Sequence, residues 1–181
     1  ESYGFLPETF VRDKDAVSSC TLMAEIAAWA KDNGKTMYEL LQDIYLEIKF
    51  YKPTVADIVK MQEIVKEEVA NGKILLRTED EMATTIRSYT VVEVDGKMAG
   101  FTATHIHSPR LAEVRSLVVS KDFRGLKLGK KLVEACIKEA KEYGIQQLLS
   151  LTYEQGFFES CGFRVISKEE IPEHKIWADC I

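Results

Sequence analysis

Glu113 and Arg115 stand two residues apart in Leu-Ala-Glu-Val-Arg-Ser-Leu-Val-Val, so on an extended chain they share one face. A carboxylate and a guanidinium side by side can take a proton from an amine and hold a carboxylate in two-pronged contact. The alternative is a structural ion pair on an exposed face. Shortly after comes Arg124-Gly125-Leu126-Lys127-Leu128-Gly129-Lys130, a glycine-bearing loop that leads into an amphipathic run. A loop of this kind leaves unpaired backbone N–H groups at the positive end of a helix, which suits an anion. The Gly-Lys-Ser/Thr ending of nucleotide-hydrolysing phosphate loops is absent. His105 and His107 lie two apart, but no Cys or carboxylate joins them at a metal-site spacing. The four cysteines, Cys20, Cys136, Cys161 and Cys180, show no paired spacing either, so no metal is expected. Cys20 and Cys136 fall on apolar helix faces and are expected to be buried free thiols.

The elements that must position these residues follow from periodicity. Leu111–Val119 alternates as a strand. Leu128, Leu132, Ala135, Cys136 and Ala140 recur at helical spacing, and Gly144 stops that helix. Upstream, Tyr89–Val94 and Lys97 to about His105 form a hairpin around Asp95-Gly96, and His-Ile-His-Ser-Pro-Arg is expected to be a loop. Thr54 caps a helix to Asn71-Gly72, and a shorter one follows from about Glu79 to Arg87. Downstream, Gln147–Leu151 is a strand, a short helix begins near Tyr153, and Arg164–Ser167 is a last strand. Ile48–Pro53 is a first strand. Before it, a helix from about Ala16 to Asn33, capped by Asp15, and a second one opened by the Thr36–Glu39 capping box make a separate segment.

The chain has 181 residues, 46% hydrophobic and 29% charged, with 24 basic and 29 acidic side chains and a net charge of −5. That is an ordinary globular composition. An acidic balance without a basic patch argues against a nucleic-acid partner. No apolar run reaches membrane-spanning length and no secretory signal opens the chain, so a cytoplasmic, reducing setting without a membrane partner is expected.

Arg124-Gly125-Leu126-Lys127-Leu128-Gly129 resembles the acetyl-CoA loop of GNAT-type N-acetyltransferases, Arg/Gln-x-x-Gly-x-Gly/Ala, with Lys127 where that family usually has glycine. The resemblance implies an α/β (α+β) GNAT fold over residues 48–181. Its central sheet is mixed but mostly antiparallel, flanked by helices, with a splayed pair formed by Leu111–Val119 and Gln147–Leu151. It also implies acetyl-CoA as co-substrate, held by Leu117, Val118, Val119, Arg124, Gly125, Leu126, Lys127, Leu128, Gly129 and Lys130. In many members a Tyr before the Gly-Phe pair protonates the departing thiolate; Phe158 stands there, leaving Tyr153 as the candidate acid beside Glu113 as base. Phe157-Phe158-x-x-x-Gly162-Phe163 and the tail from Ile171 resemble small stand-alone bacterial N-acetylglutamate synthases. The implied acceptor is a small acidic amino acid, L-glutamate first, bound by Arg115 and Arg87. Another small amine or a protein lysine is the alternative acceptor.

Residues 1–47 resemble a fragment of the third domain of phosphoglucomutases and phosphomannomutases, in which Glu1-Ser2-x-Gly4 would open a sugar-contacting loop. The phosphoserine loop and metal loop of those enzymes are absent, so mutase catalysis is not expected. The segment then serves as a helical appendage, as a fusion remnant or as a pairing surface around Trp29 for a homodimer. A non-catalytic scaffold is the competing class of function.

Overall fold

A computed structural model describes residues 16–72, 74–167 and 170–171. The Glu1-Ser2-Gly4 loop, the cap at Asp15 and the tail with Cys180 lie outside the described residues. The chain divides into two compact units, Glu1–Glu47 and Ile48–Ile181.

In the first unit, α1 (Ala16–Asp32) and α2 (Met37–Tyr45) are joined by a turn at Gly34 with φ 66°. Thr36 and Glu39 form the expected capping box: the Thr36 N–H donates to Glu39 Oε2 at 2.8 Å and the Glu39 N–H donates to Thr36 Oγ1 at 3.2 Å. Leu22, Ile26 and Ala30, at i, i+4 and i+8, make the covered stripe of α1, while Val17, Met23 and Trp29 are exposed. Cys20 is exposed as well, against expectation, because it falls off that stripe.

The second unit is built on a five-stranded sheet in the order β1-β2-β3-β4-β5. The strands are β1 (Ile48–Tyr51), β2 (Tyr89–Val94), β3 (Lys97–Ser108), β4 (Leu111–Val119) and β5 (Gln147–Leu149). The first four pair antiparallel and β4 pairs parallel with β5, giving the mixed, mostly antiparallel sheet that was expected. The β2–β3 turn has positive φ at both Asp95 (49°) and Gly96 (76°), as a two-residue hairpin requires.

One face of the sheet is covered by α3 (Ile58–Ala70) and α4 (Glu79–Thr84). Ile58, Met61, Val65 and Met82 pack there on Tyr89, Val91, Phe101, Ala103 and Val118. The other face carries α5 (Leu128–Glu142) and α6 (Gln155–Ser160). Val133, Cys136 and Phe158 pack there on Val114.

Several boundaries differ from the periodicity. β3 runs on to Ser108, so the His105–Ser108 segment is strand rather than loop; two residues, Pro109 and Arg110, make the whole turn into β4. The helix from Glu79 breaks at Thr85 into a 3-10 turn over Ile86–Ser88, because Thr85 Oγ1 bonds back to the Glu81 carbonyl at 2.9 Å and competes with the helix ladder. β5 ends at Leu149, α6 starts at Gln155, and residues 164–167 join no strand pair among the described residues.

Candidate active site

Sheet register brings the chemistry-bearing side chains together. Ala103 pairs with Arg115 and His105 with Glu113, so these four share the α3 side of the sheet. Two irregularities bracket them. Between Ala103 and Phe101 on β3, β4 spends one extra residue, and Ser116 there has φ 51°. The extra residue resets the alternation: Val114 faces α5, whereas Val118 packs with the α3 cluster. Toward the turn, Ile106 pairs with Ala112 and Ser108 with Leu111, which leaves His107 as the extra residue on β3.

The Glu113 carboxylate is the centre of this cluster, with a residue exposure of 5%. Arg115 Nε donates to Glu113 Oε2 at 2.7 Å, and His107 Nε2 lies 2.9 Å from the same oxygen. Their side chains are largely buried, at 16% for Arg115 and 4% for His107. His105 meets the His107 ring edge-on, with centroids 4.7 Å apart. Burying a charge is costly unless it is paired and hydrogen-bonded, and this carboxylate is both. Sequence spacing identified Glu113 and Arg115. It missed His107 as their partner, because a bulge position cannot be seen in alternation alone. Arg87 sits exposed on the 3-10 turn that leads into Tyr89, whose register partner Ala103 lies opposite Arg115.

β4 and β5 pair only through Glu113 with Leu149; from Val114 onward β4 has no β5 partner among the described residues. Leu117, Val118 and Val119 therefore lie beyond the paired part of β4 and β5. Gly100 makes close passage of β3 possible there, since a Cβ on it would fall 2.4 Å from the Val118 carbonyl oxygen.

The loop after β4 turns through a 3-10 turn, Lys121–Phe123, into α5. Lys127 is the N-cap with φ 54°, in the left-handed region, and no side chain caps the helix. Glycine takes that conformation freely; lysine adopts it at a cost. Among the described residues, the backbone N–H groups of Gly125, Leu126, Gly129 and Lys130 meet no acceptor, so four donors stand open at the start of α5. Leu128 is buried and anchors the start of the helix, while Gly129 faces the Phe157 ring.

Arg124 donates to Glu68 of α3 at 3.0 Å, and Lys121 pairs with Glu67. The hydrogen bond from Lys121 holds the Glu67 carboxyl below the usual range. These two ion pairs border a groove of about 650 Å³ between α3 and residues 119–124. A second hollow, of about 920 Å³, runs along β5, α6 and residues 162–166. Neither includes Glu113 or Arg115.

Phe158 and Tyr153 sit in different surroundings. Phe158 is buried with Val114, Val133 and Cys136, so that position supplies packing and no hydroxyl. Tyr153 is 96% exposed. A general acid must be held in place, and among the described residues nothing holds the Tyr153 hydroxyl. His105 and His107 belong to no group of three metal-binding side chains among the described residues. No helix there is long and apolar enough to cross a membrane.

Residues 55–163 match the acetyltransferase (GNAT) family. An uncharacterized N-acetyltransferase of Chlorobaculum tepidum is 33% identical over 126 residues, covering 70% of this chain and 81% of that protein. The amino-acid acetyltransferase of Pasteurella multocida is 28% identical over 124 residues, which is 67% of this chain and 28% of that protein. The chain thus spans under a third of that relative's length. Another 52 residues' worth of similarity, at 40% identity, links 29% of the chain to 10% of the phosphoglucomutase of Staphylococcus haemolyticus. Among solved structures, N-acetylglutamate synthase from Neisseria gonorrhoeae, complexed with coenzyme A and N-acetyl-glutamate, superposes with a TM-score of 0.69 at 23% identity, over 74% of this chain and 32% of that one. A Mycobacterium tuberculosis protein in complex with CoA superposes at 0.65 and 21% identity, over 72% of this chain and 80% of that one. At these identities the superpositions speak for the fold.

Proposed function

Because the chain belongs to the GNAT family of acetyltransferases, whose acyl donor is acetyl-CoA, we propose that it acetylates the α-amine of a small acidic amino acid, L-glutamate first. The observation that carries this reading is the buried Glu113–Arg115 pair on β4, a carboxylate 2.7 Å from a guanidinium beside the Ser116 bulge. Relatives named amino-acid acetyltransferase and a fold neighbour named N-acetylglutamate synthase support the choice of acceptor.

The donor site would begin at the uncapped end of α5. Backbone N–H groups from Gly125 to Lys130, together with Arg124 and Lys127, would hold the pyrophosphate. The pantetheine arm would run along Leu117, Val118 and Val119, where β4 has parted from β5. A backbone N–H there would polarise the thioester carbonyl.

On the acceptor side, Arg115 would take the side-chain carboxylate, with Arg87 at the rim. Glu113 would accept a proton from the α-ammonium. The freed amine lone pair attacks the thioester carbon, a tetrahedral oxyanion forms, and the C–S bond breaks to release the CoA thiolate. The nitrogen then sheds its second proton, which water would carry to that thiolate, since Phe158 has no hydroxyl and Tyr153 is exposed. Direct transfer in a ternary complex needs no covalent acyl-enzyme. Holding both reactants side by side can supply roughly 7–11 kcal/mol of the barrier at best.

Such a product would place the chain in cytoplasmic arginine biosynthesis. We assign residues 1–47 as a phosphohexomutase-like fragment, a reading supported by 40% identity over 52 residues to a phosphoglucomutase.

Turnover of acetyl-CoA with a panel of amino acids tests the reading, with L-glutamate expected as the preferred acceptor. Arg115→Ala should raise the glutamate KM by about 100-fold, the effect of losing a charged contact, and leave acetyl-CoA affinity unchanged. Equal loss of both would make Arg115 structural.

A further inference from the structure

We infer that His107 is a positioning residue for the Glu113 base, selecting which carboxylate oxygen receives the acceptor's proton; this rests on the acetyltransferase reading above. Three observations carry the inference.

The first is the geometry of the carboxylate. His107 Nε2 and Arg115 Nε both reach Oε2, at 2.9 and 2.7 Å, and among the described residues Oε1 has no partner. An ionised carboxylate only accepts hydrogen bonds, so Nε2 of His107 carries the hydrogen and donates it. Two donors on one oxygen occupy its lone pairs and leave Oε1 as the basic atom. The acceptor's N–H bond breaks as an Oε1–H bond forms, and the nitrogen keeps the electron pair that attacks the thioester.

The second is that the backbone is built to aim this ring. His107 is the extra residue of a bulge at the end of β3, and a bulge re-aims a side chain that regular alternation would place elsewhere. The side chain it aims is 4% exposed and closed on one side by the His105 ring.

The third is that the two donors come from different strands: Arg115, which the reading above also assigns to the acceptor, reaches Oε2 from β4, and His107 reaches it from β3.

The test is a double-mutant cycle on the full chain, read as kcat and KM with L-glutamate, or with the amino acid of the panel that the wild type turns over. Glu113→Gln, His107→Leu, the double variant and His107→Gln are compared, with acetyl-CoA affinity measured by calorimetry and folding by thermal melts. His107→Leu should lower kcat about 10- to 100-fold, as expected for losing a hydrogen bond to a charged group. Acetyl-CoA affinity should hold, and His107→Gln, which keeps an N–H donor, should recover most of the loss. In the Glu113→Gln background, His107→Leu should cost no more than about 3-fold, because a residue acting through another adds little once that other is gone. A multiplicative double variant, an unaltered kcat in His107→Leu, or no recovery with Gln would overturn the inference and leave the acetyltransferase reading standing. Wild-type activity in Glu113→Gln would instead strike down the base assignment, and the role of His107 with it.

Discussion

Gly100→Ala probes how β3 supports the donor strand. A Cβ at Gly100 would sit 2.4 Å from the Val118 carbonyl oxygen, 3.1 Å from Val119 Cα and 3.3 Å from the Val118 carbonyl carbon. These neighbours are backbone, so they cannot rotate away as a side-chain tip would. Ordinary carbon–oxygen contact needs about 1 Å more, so β3 and β4 must separate by roughly that distance. Overpacking of this kind costs about 1–3 kcal/mol. For a chain of this size that lowers Tm by roughly 2–12 °C. The shift falls on Val118 and Val119, the segment assigned to the thioester, and a 1 Å misplacement of reacting groups can cost about 100-fold in rate. The expected outcome is a modest drop in Tm with a kcat reduced about 100-fold at saturating acetyl-CoA and glutamate. Gly156→Ala is the control: nothing lies within 4 Å of its added Cβ and it sits in α6, so stability should hold or rise. Unaltered kcat alongside a lowered Tm would refute the role of Val118–Val119 in holding the thioester. Unaltered Tm would refute the close passage itself.

Lys127→Gly should raise Tm by about 2 °C, because glycine adopts φ near 54° without the roughly 1–2 kcal/mol that lysine pays, less the entropy glycine adds to the unfolded chain. Donor affinity should fall a few-fold as the charge is lost; a lowered Tm would mean that the lysine side chain outweighs its backbone strain. Gly129→Glu puts a carboxylate where the pyrophosphate is assigned and a side chain against the Phe157 ring, so acetyl-CoA affinity by calorimetry should fall by at least about 100-fold; unaltered affinity would remove the phosphate from α5. Burial pushes the Cys136 thiol up, and its bond to Thr102 only partly offsets this. A group raised in the folded state favours folding below its unfolded value and loses that contribution as pH climbs through the raised one. Thermal melts should therefore fall above the ordinary thiol range, less steeply in Cys136→Ala. Thiol reagents at neutral pH should label Cys20 before Cys136.

Much of this protein was legible from residue order because its signals are local. The Asp95–Gly96 hairpin, the Thr36 capping box and the 3.6-residue pattern of α5 each depend on neighbours a few positions away. Glu113 and Arg115 were found the same way, since a two-residue spacing on a strand fixes a common face. The loop into α5 was recognisable by its glycines, although Lys127 takes a left-handed backbone conformation without being one.

What tertiary structure decided is everything that depends on register between distant strands. Alternation cannot announce a bulge, because one extra residue is defined only against the partner strand. So the His107 contact with Glu113, the reset at Ser116 and the need for Gly100 against Val118 emerged only when β3 and β4 were paired. Residues 164–167 were expected to be a strand but pair with none among the described residues. The sequence by itself determined which elements form and which side chains could share a face. Pairing of strands far apart in the chain determined which of those side chains meet, since a hydrogen-bond ladder transmits a single-residue offset to every contact beyond it.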